Sequence, residues 1–326
     1  MSNDRRAAVK KLKNLYFSPK TDINEYRQRM DEVFSSNFLP NNVDFEEKVY
    51  SSIKCDVLSP EIYSSNRILI YVHGGSFVGG SRSAYRPFVS ALANVTASRA
   101  FLPEFRLAPA HPFPAALEDL EKFFDSVYSE TENAIALSAS GEGFSKNPQV
   151  IFAADTSGAS IALGFLYRLN EKIRENVSQV ILFSPWLDFS EDNDMFTAKK
   201  VSDEIFNTDF VRLCSEHYTY QENWKNPLVS PLKAGRELLQ KFPPVFIQMG
   251  EKEIFYDDAI MFQSMLRNYG HRCELDTWKG MMPMFQLADE YLCEAHLALE
   301  KVGKVITEQN HKDESVREIQ LTLERP

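Results

Sequence analysis

The chain of 326 residues is 44% hydrophobic and 25% charged, a composition that suits a globular protein with a large core and excludes an intrinsically disordered one. Its formal net charge of -10 argues against a nucleic acid as partner, because affinity for a phosphate backbone is built from clustered Lys and Arg. Cys55, Cys214, Cys273 and Cys293 are widely spaced and form no C-x-x-C pair, so no metal site and no redox motif is expected.

Met1 to Lys13 is charged and lacks an apolar core of signal-peptide length, and no run is long enough to cross a bilayer. The expected compartment is therefore the cytoplasm. Residues 1–48 read as helical and mixed in polarity, with Met30, Val33 and Phe34 spaced for one face. Alternation from Val49 to Val57 predicts an early strand, and Arg67 to Val72 predicts a stronger, buried one. That strand runs into His73-Gly74-Gly75-Ser76-Phe77-Val78-Gly79-Gly80-Ser81, where glycines would let backbone N–H groups approach a ligand closely. A helix is predicted over Ala116 to Tyr128, followed by a polar surface loop from Ser129 to Asn147. Val150 to Leu163 then reads as an apolar strand, a sharp turn and a helix of small residues. Strands are predicted at Val180 to Phe183, Pro244 to Met249 and Cys273 to Trp278, with a helix over Asp257 to Tyr269. Residues 190–225 read as a helical insertion carrying Phe196, Ile205, Phe206, Phe210 and Trp224, and the tail after Val305 reads as charged and disordered.

Phe105-Arg106-Leu107-Ala108-Pro109-Ala110-His111-Pro112-Phe113-Pro114-Ala115-Ala116 closely resembles the Tyr-Arg-Leu-Ala-Pro-Glu-His-Pro-Phe-Pro-Ala-Ala stretch of hormone-sensitive-lipase-like carboxylesterases. The His73-Gly74-Gly75 loop and the strand-turn-helix unit stand at the right separation for that family, and the resemblance spans roughly residues 60–305. It implies an α/β-hydrolase fold: a mostly parallel twisted sheet with helices on both faces and a helical cap. The implied organisation is N-terminal cap helices at 1–48, an α/β-hydrolase domain at 49–305 with a cap insertion at about 190–225, and a charged tail at 306–326.

In that family the strand-turn-helix unit is G-x-S-x-G, and its serine attacks the substrate carbonyl. The matching positions are Ala154, Asp155, Thr156, Ser157 and Gly158, so a threonine stands at the nucleophile. Its β-methyl stiffens the side chain in a turn already under strain. The acid position is Glu253, where the family has aspartate. The base position is Pro283, within Gly280-Met281-Met282-Pro283-Met284-Phe285, and proline can take no proton. His73, His111, His217, His271, His296 and His311 all lie outside that loop. Loss of the serine or the histidine alone costs a serine protease roughly a millionfold in turnover.

The resemblance also implies an oxyanion or ligand site at Gly74, Gly75, Ser76 and Ser157, with no metal and no cofactor. The expectation is a pseudohydrolase that binds a small carbonyl- or carboxylate-containing ligand in the former active site. Plant gibberellin receptors of this family also lack the histidine, an analogy that favours a sensing role. Two alternatives stay open: a weakly active carboxylic ester hydrolase using Thr156, and a protein-interaction scaffold. The partners expected are a small-molecule ligand or ester, with self-association into a homodimer allowed.

Overall fold

The computed structural model describes residues 2–138, 147–196 and 203–323, and their side chains except at 138 and 309–323. Eight strands form one sheet in the order β1-β2-β4-β3-β5-β6-β7-β8. β1 (Val43–Tyr50) and β2 (Ile53–Pro60) make an antiparallel hairpin, and β2 pairs antiparallel with β4 (Arg99–Pro103). From β4 onward the sheet is parallel: β3 (Arg67–Val72), β5 (Gln149–Asp155), β6 (Val177–Phe183), β7 (Val245–Gly250) and β8 (Cys273–Trp278). Ile68 to Val72 and Val150 to Ala154 are fully buried, because a parallel sheet covered on both faces needs apolar side chains on both.

The connecting helices are α3 (Arg82–Val95), α4 (Ala115–Ser138), α5 (Thr156–Arg168), the single turn α6 (Glu171–Arg174), α8 (Tyr256–Asn268) and α9 (Cys293–Leu323). Above the carboxyl ends of the strands lie α1 (Asn3–Leu12), α2 (Ile23–Phe34) and α7 (Thr208–Tyr218). Their apolar faces meet: Phe17 packs on Phe210 with ring centroids 5.2 Å apart, and on Tyr26 at 4.7 Å. Arg27 ties α2 to the body by donating to the carbonyls of Val78 and Ala108. Arg5 of α1 donates to Glu204 and to the carbonyl of Gly280.

Several expectations need correction. The alternation from Val49 to Val57 spans the hairpin turn, where Ser51 and Ser52 take φ of 48° and 70°, so one expected strand is parts of two. The expected N-terminal helical segment gives way to β1 at Val43. The loop expected from Ser129 is helical through Ser138, while 139–146 lie outside the described residues. The insertion at 190–225 holds α7 and two single turns of 3-10 helix within irregular chain, with 197–202 outside the described residues. The tail expected after Val305 continues α9 as far as Leu323.

Candidate active site

The centre of the site is the turn between β5 and α5. Thr156 sits there at φ 42°, a left-handed conformation that is rare for a β-branched residue. The turn is held by the side chain before it. Asp155 is fully buried, and its Oδ1 accepts from the Tyr71 hydroxyl at 2.8 Å and from Gly74 N–H at 2.7 Å. Its Oδ2 accepts from the Tyr85 hydroxyl at 3.0 Å and from Thr156 Oγ1 at 3.1 Å. Burial raises the Asp155 pKa, and the donors from Tyr71, Gly74 and Tyr85 oppose the rise. Two glycines make the close approach possible. A Cβ on Gly74 would lie 2.1 Å from Thr156 Oγ1, and one on Gly158 would lie 2.2 Å from the Val72 carbonyl.

The expected oxyanion residues are brought together, with one correction. Gly74 N–H is committed to Asp155, so it fixes the turn and is no open donor. Gly75 turns the chain at φ 104°, followed by Ser76 and Phe77 at 58° and 67°. Phe77 N–H donates to Ser157 Oγ at 3.1 Å, which pins this loop to the first turn of α5. Among the described residues, no hydrogen bond occupies the N–H groups of Gly75, Ser76 or Ser157. Ser157 N–H is also one of the donors that a helix N-terminus leaves without an internal partner. The Ser76 side chain lies against Tyr26 of α2 and Cys214 of α7, so both parts of the cap touch the donor loop.

Glu253 and Pro283 are buried on neighbouring loops. Glu253 Oε1 accepts from Gly250 N–H at 2.5 Å and from Ser184 Oγ at 2.9 Å. Ser184 Oγ in turn accepts Met284 N–H at 3.0 Å, so a single hydroxyl joins the acid position to the residue beside Pro283. Ser184 and Met284 both take positive φ, 45° and 54°. Burial holds the Glu253 carboxyl well above the usual range, against the pull of its two donors. Asp203 of the cap acts on it as a like charge and is itself pushed up to about 6 by desolvation.

The histidines serve elsewhere. His73 stacks on Phe105 and Tyr85 with centroids 4.3 and 5.3 Å away, and its Nδ1 donates to the Gly74 carbonyl at 2.8 Å. His217 packs near Phe17, His271 near Phe242, and His296 is exposed beside Glu300. His111 is exposed, and the side chain of His311 lies outside the described ones. Sequence reasoning missed the Tyr71 and Tyr85 clamp, the Ser184 bridge and Asp203. Asp155 and Ser184 lay inside recognised motifs, but their partners stand on segments that no local pattern connects to them.

The aromatic surroundings are dense. Trp186, whose backbone N–H donates to the Thr156 carbonyl at 3.0 Å, stacks its ring on Phe189 and Phe255 with centroids 4.7 and 5.2 Å away. Phe77 stacks on Tyr218 of α7 at 3.9 Å.

Known proteins share this fold. An esterase from the bacterial hormone-sensitive lipase family superposes with a TM-score of 0.82 at 23% identity, covering 95% of this chain and 99% of its own. A curated esterase of Acinetobacter venetianus is 28% identical over 245 residues, which is 75% of this chain and 76% of that protein. An acetyl-hydrolase of Streptomyces hygroscopicus is 26% identical over 237 residues, 73% of this chain and 74% of that one. The sequence model of the α/β hydrolase fold matches residues 69–287, from the strand before the donor loop to just past Pro283. With the sheet order, the turn at Thr156 and this match together, the chain belongs to the α/β-hydrolase-fold family, with a fold of the carboxylesterase and lipase type.

Proposed function

We propose that this is a pseudohydrolase of the hormone-sensitive-lipase branch, which uses a former acyl-transfer site to bind a small carbonyl compound. The observation that carries the reading is the direction of one hydroxyl. Thr156 Oγ1 donates to Asp155 Oδ2, while the position that should supply a base holds Pro283. A nucleophile needs a group that takes its proton during attack. Asp155 already accepts from three other donors, so both of its oxygens are engaged in holding the turn. The N–H groups of Gly75, Ser76 and Ser157 need no base to hold a carbonyl oxygen, so binding survives the loss of turnover.

A second reading is favoured by the relatives' names, esterase and acetyl-hydrolase, and makes this chain a slow carboxylic ester hydrolase with Thr156 as nucleophile. Hydrolysis of p-nitrophenyl butyrate separates the two. The wild type is expected to show no turnover above buffer, and Thr156→Ser combined with Pro283→His is expected to gain it by at least about a hundredfold. Wild-type turnover that disappears in Thr156→Ala would overturn the binding role in favour of the slow hydrolase.

A further inference from the structure

β1 is an open edge of the sheet, and most of it faces solvent. Phe45 is 50% exposed and Val49 64%, and among the described residues half of the large exposed hydrophobics fall between Phe38 and Tyr63, on this hairpin and its flanks. Such an edge offers unpaired N–H and C=O groups to another strand. Tyr50 and Ile53 flank the two-residue turn, so they exchange both backbone bonds, and by antiparallel alternation Lys48, Glu46 and Asp44 also bond inward to β2. The N–H and C=O groups of Phe45, Glu47 and Val49 therefore point outward, and no hydrogen bond occupies them among the described residues. Val43 N–H, next in that outward series, donates to the Pro40 carbonyl, which ends the open stretch. The side chains sort by face. Phe45 and Glu47 lie on the α3 side, with the Arg86 guanidinium 4.3 Å from the Phe45 ring centroid and Arg82 2.8 Å from the Glu47 carboxylate. Lys48 and Tyr50 lie on the α4 side, near Glu130 and Phe123.

We propose that β1 pairs antiparallel with β1 of a second copy of this chain, Glu47 facing Glu47 across a two-fold axis, which joins the two eight-stranded sheets into one. A two-fold axis makes the two edges antiparallel, and outward residues can face only outward residues, so few registers exist. With Glu47 at the axis, Phe45 faces Val49 of the other copy on both sides of it, an aromatic and β-branched pair of the kind sheets favour. On the opposite face Glu46 stands opposite Lys48, again on both sides, at the closer positions that exchange no backbone bonds. The two central carboxylates each keep their own Arg82. Centring on Glu46 or on Lys48 instead puts like charges opposite each other and sets Phe45 or Val49 against Glu47. A single register matches apolar with apolar and acid with base along the whole open edge. The pairing is independent of what the site binds, since β5 lies four strands away along the sheet.

Sedimentation equilibrium is expected to give the wild type twice the mass of one chain, falling on dilution. Val49→Lys, at an exposed position where an edge lysine leaves the fold intact, is expected to weaken association at least about tenfold. Glu46→Lys or Lys48→Glu alone is expected to weaken it about tenfold, and the two together to restore it, a rescue that loss of folding cannot mimic. Disulfide capture reads the register, in a Cys293→Ser background that removes the exposed thiol. A mixture of Glu46→Cys and Lys48→Cys chains is expected to cross-link, whereas either chain alone is not, because like positions lie a diagonal apart, beyond the Cα separation a disulfide spans. A monomer at every concentration overturns the proposal. So does a mixture that cross-links no faster than either chain alone, or a dimer whose affinity Val49→Lys leaves unchanged, which would put the interface elsewhere, as at the β8 edge.

Discussion

Thr156 illustrates how strain is kept in place residue by residue. A β-branched side chain at φ 42° costs about 1–3 kcal/mol, and the cost persists only where neighbours over-determine the conformation. Here the neighbours are Asp155, held by three donors besides Thr156 itself, and the bare Cα of Gly74. Gly74→Ala is expected to lower stability by about 3 kcal/mol, read as a fall in the urea midpoint at unchanged slope, because the new Cβ cannot coexist with Thr156 Oγ1 and Asp155 Oδ2. An unchanged midpoint would mean that the turn is loose and that Thr156 is free to reorient. The motif positions of this site could be read from the sequence because glycine spacing and a proline in place of histidine are local signals. The tyrosines at 71 and 85 could not, since each reads as an ordinary buried aromatic until the fold brings its hydroxyl to Asp155.

At the scale of elements, the long apolar strands and the helices beside them were legible, while the hairpin was not. Its turn is Ser51-Ser52, and both residues have positive φ, as a two-residue turn of the primed kind requires. Asn-Gly is the usual sequence there, and without it the alternation ran unbroken across the turn. The pair Ser51→Asn and Ser52→Gly is expected to raise stability by about 1 kcal/mol, a rise of a degree or more in Tm, because both residues adopt that backbone at less cost. A fall in Tm would show that the serines make contacts worth more than the strain. β4 was missed for a different reason. It spans five residues, Arg99 to Pro103, and its centre is held by pairing to β2 and β3 on either side, which no short window reveals.

Across the whole molecule, burial of acids sets a dependence on pH. Asp258 of α8 is 3% exposed, and Asn193 donates to its Oδ1 at 2.9 Å while Oδ2 has no partner among the described residues. Desolvation pushes its pKa from 3.8 to about 7, with Asp188 and Asp257 adding to the rise and Lys233 opposing it. The unfolded chain releases this proton near pH 4, whereas the folded one keeps it to about pH 7, so this group's contribution to stability falls across that interval. Asp258→Asn removes the titration. The stability of the variant relative to wild type is expected to climb by on the order of 2–4 kcal/mol between pH 4 and pH 8, measured by urea unfolding at each pH. A constant difference would mean that Asp258 ionises normally in the folded protein. No helix among the described residues is long and apolar enough to cross a membrane.

The cap has a consequence for biosynthesis. Phe17, Tyr26, Met30 and Phe34 leave the ribosome before Phe210, and all four are buried in the finished protein. Their cover includes Phe210, which is translated roughly 10–40 s after Tyr26 at 5–20 residues per second. The loops bearing Glu253 and Pro283 emerge later still, so the two helices wait with apolar faces uncovered until those segments are made. Translation order therefore makes α1 and α2 early and seats them late, after the segments that cover them have been made.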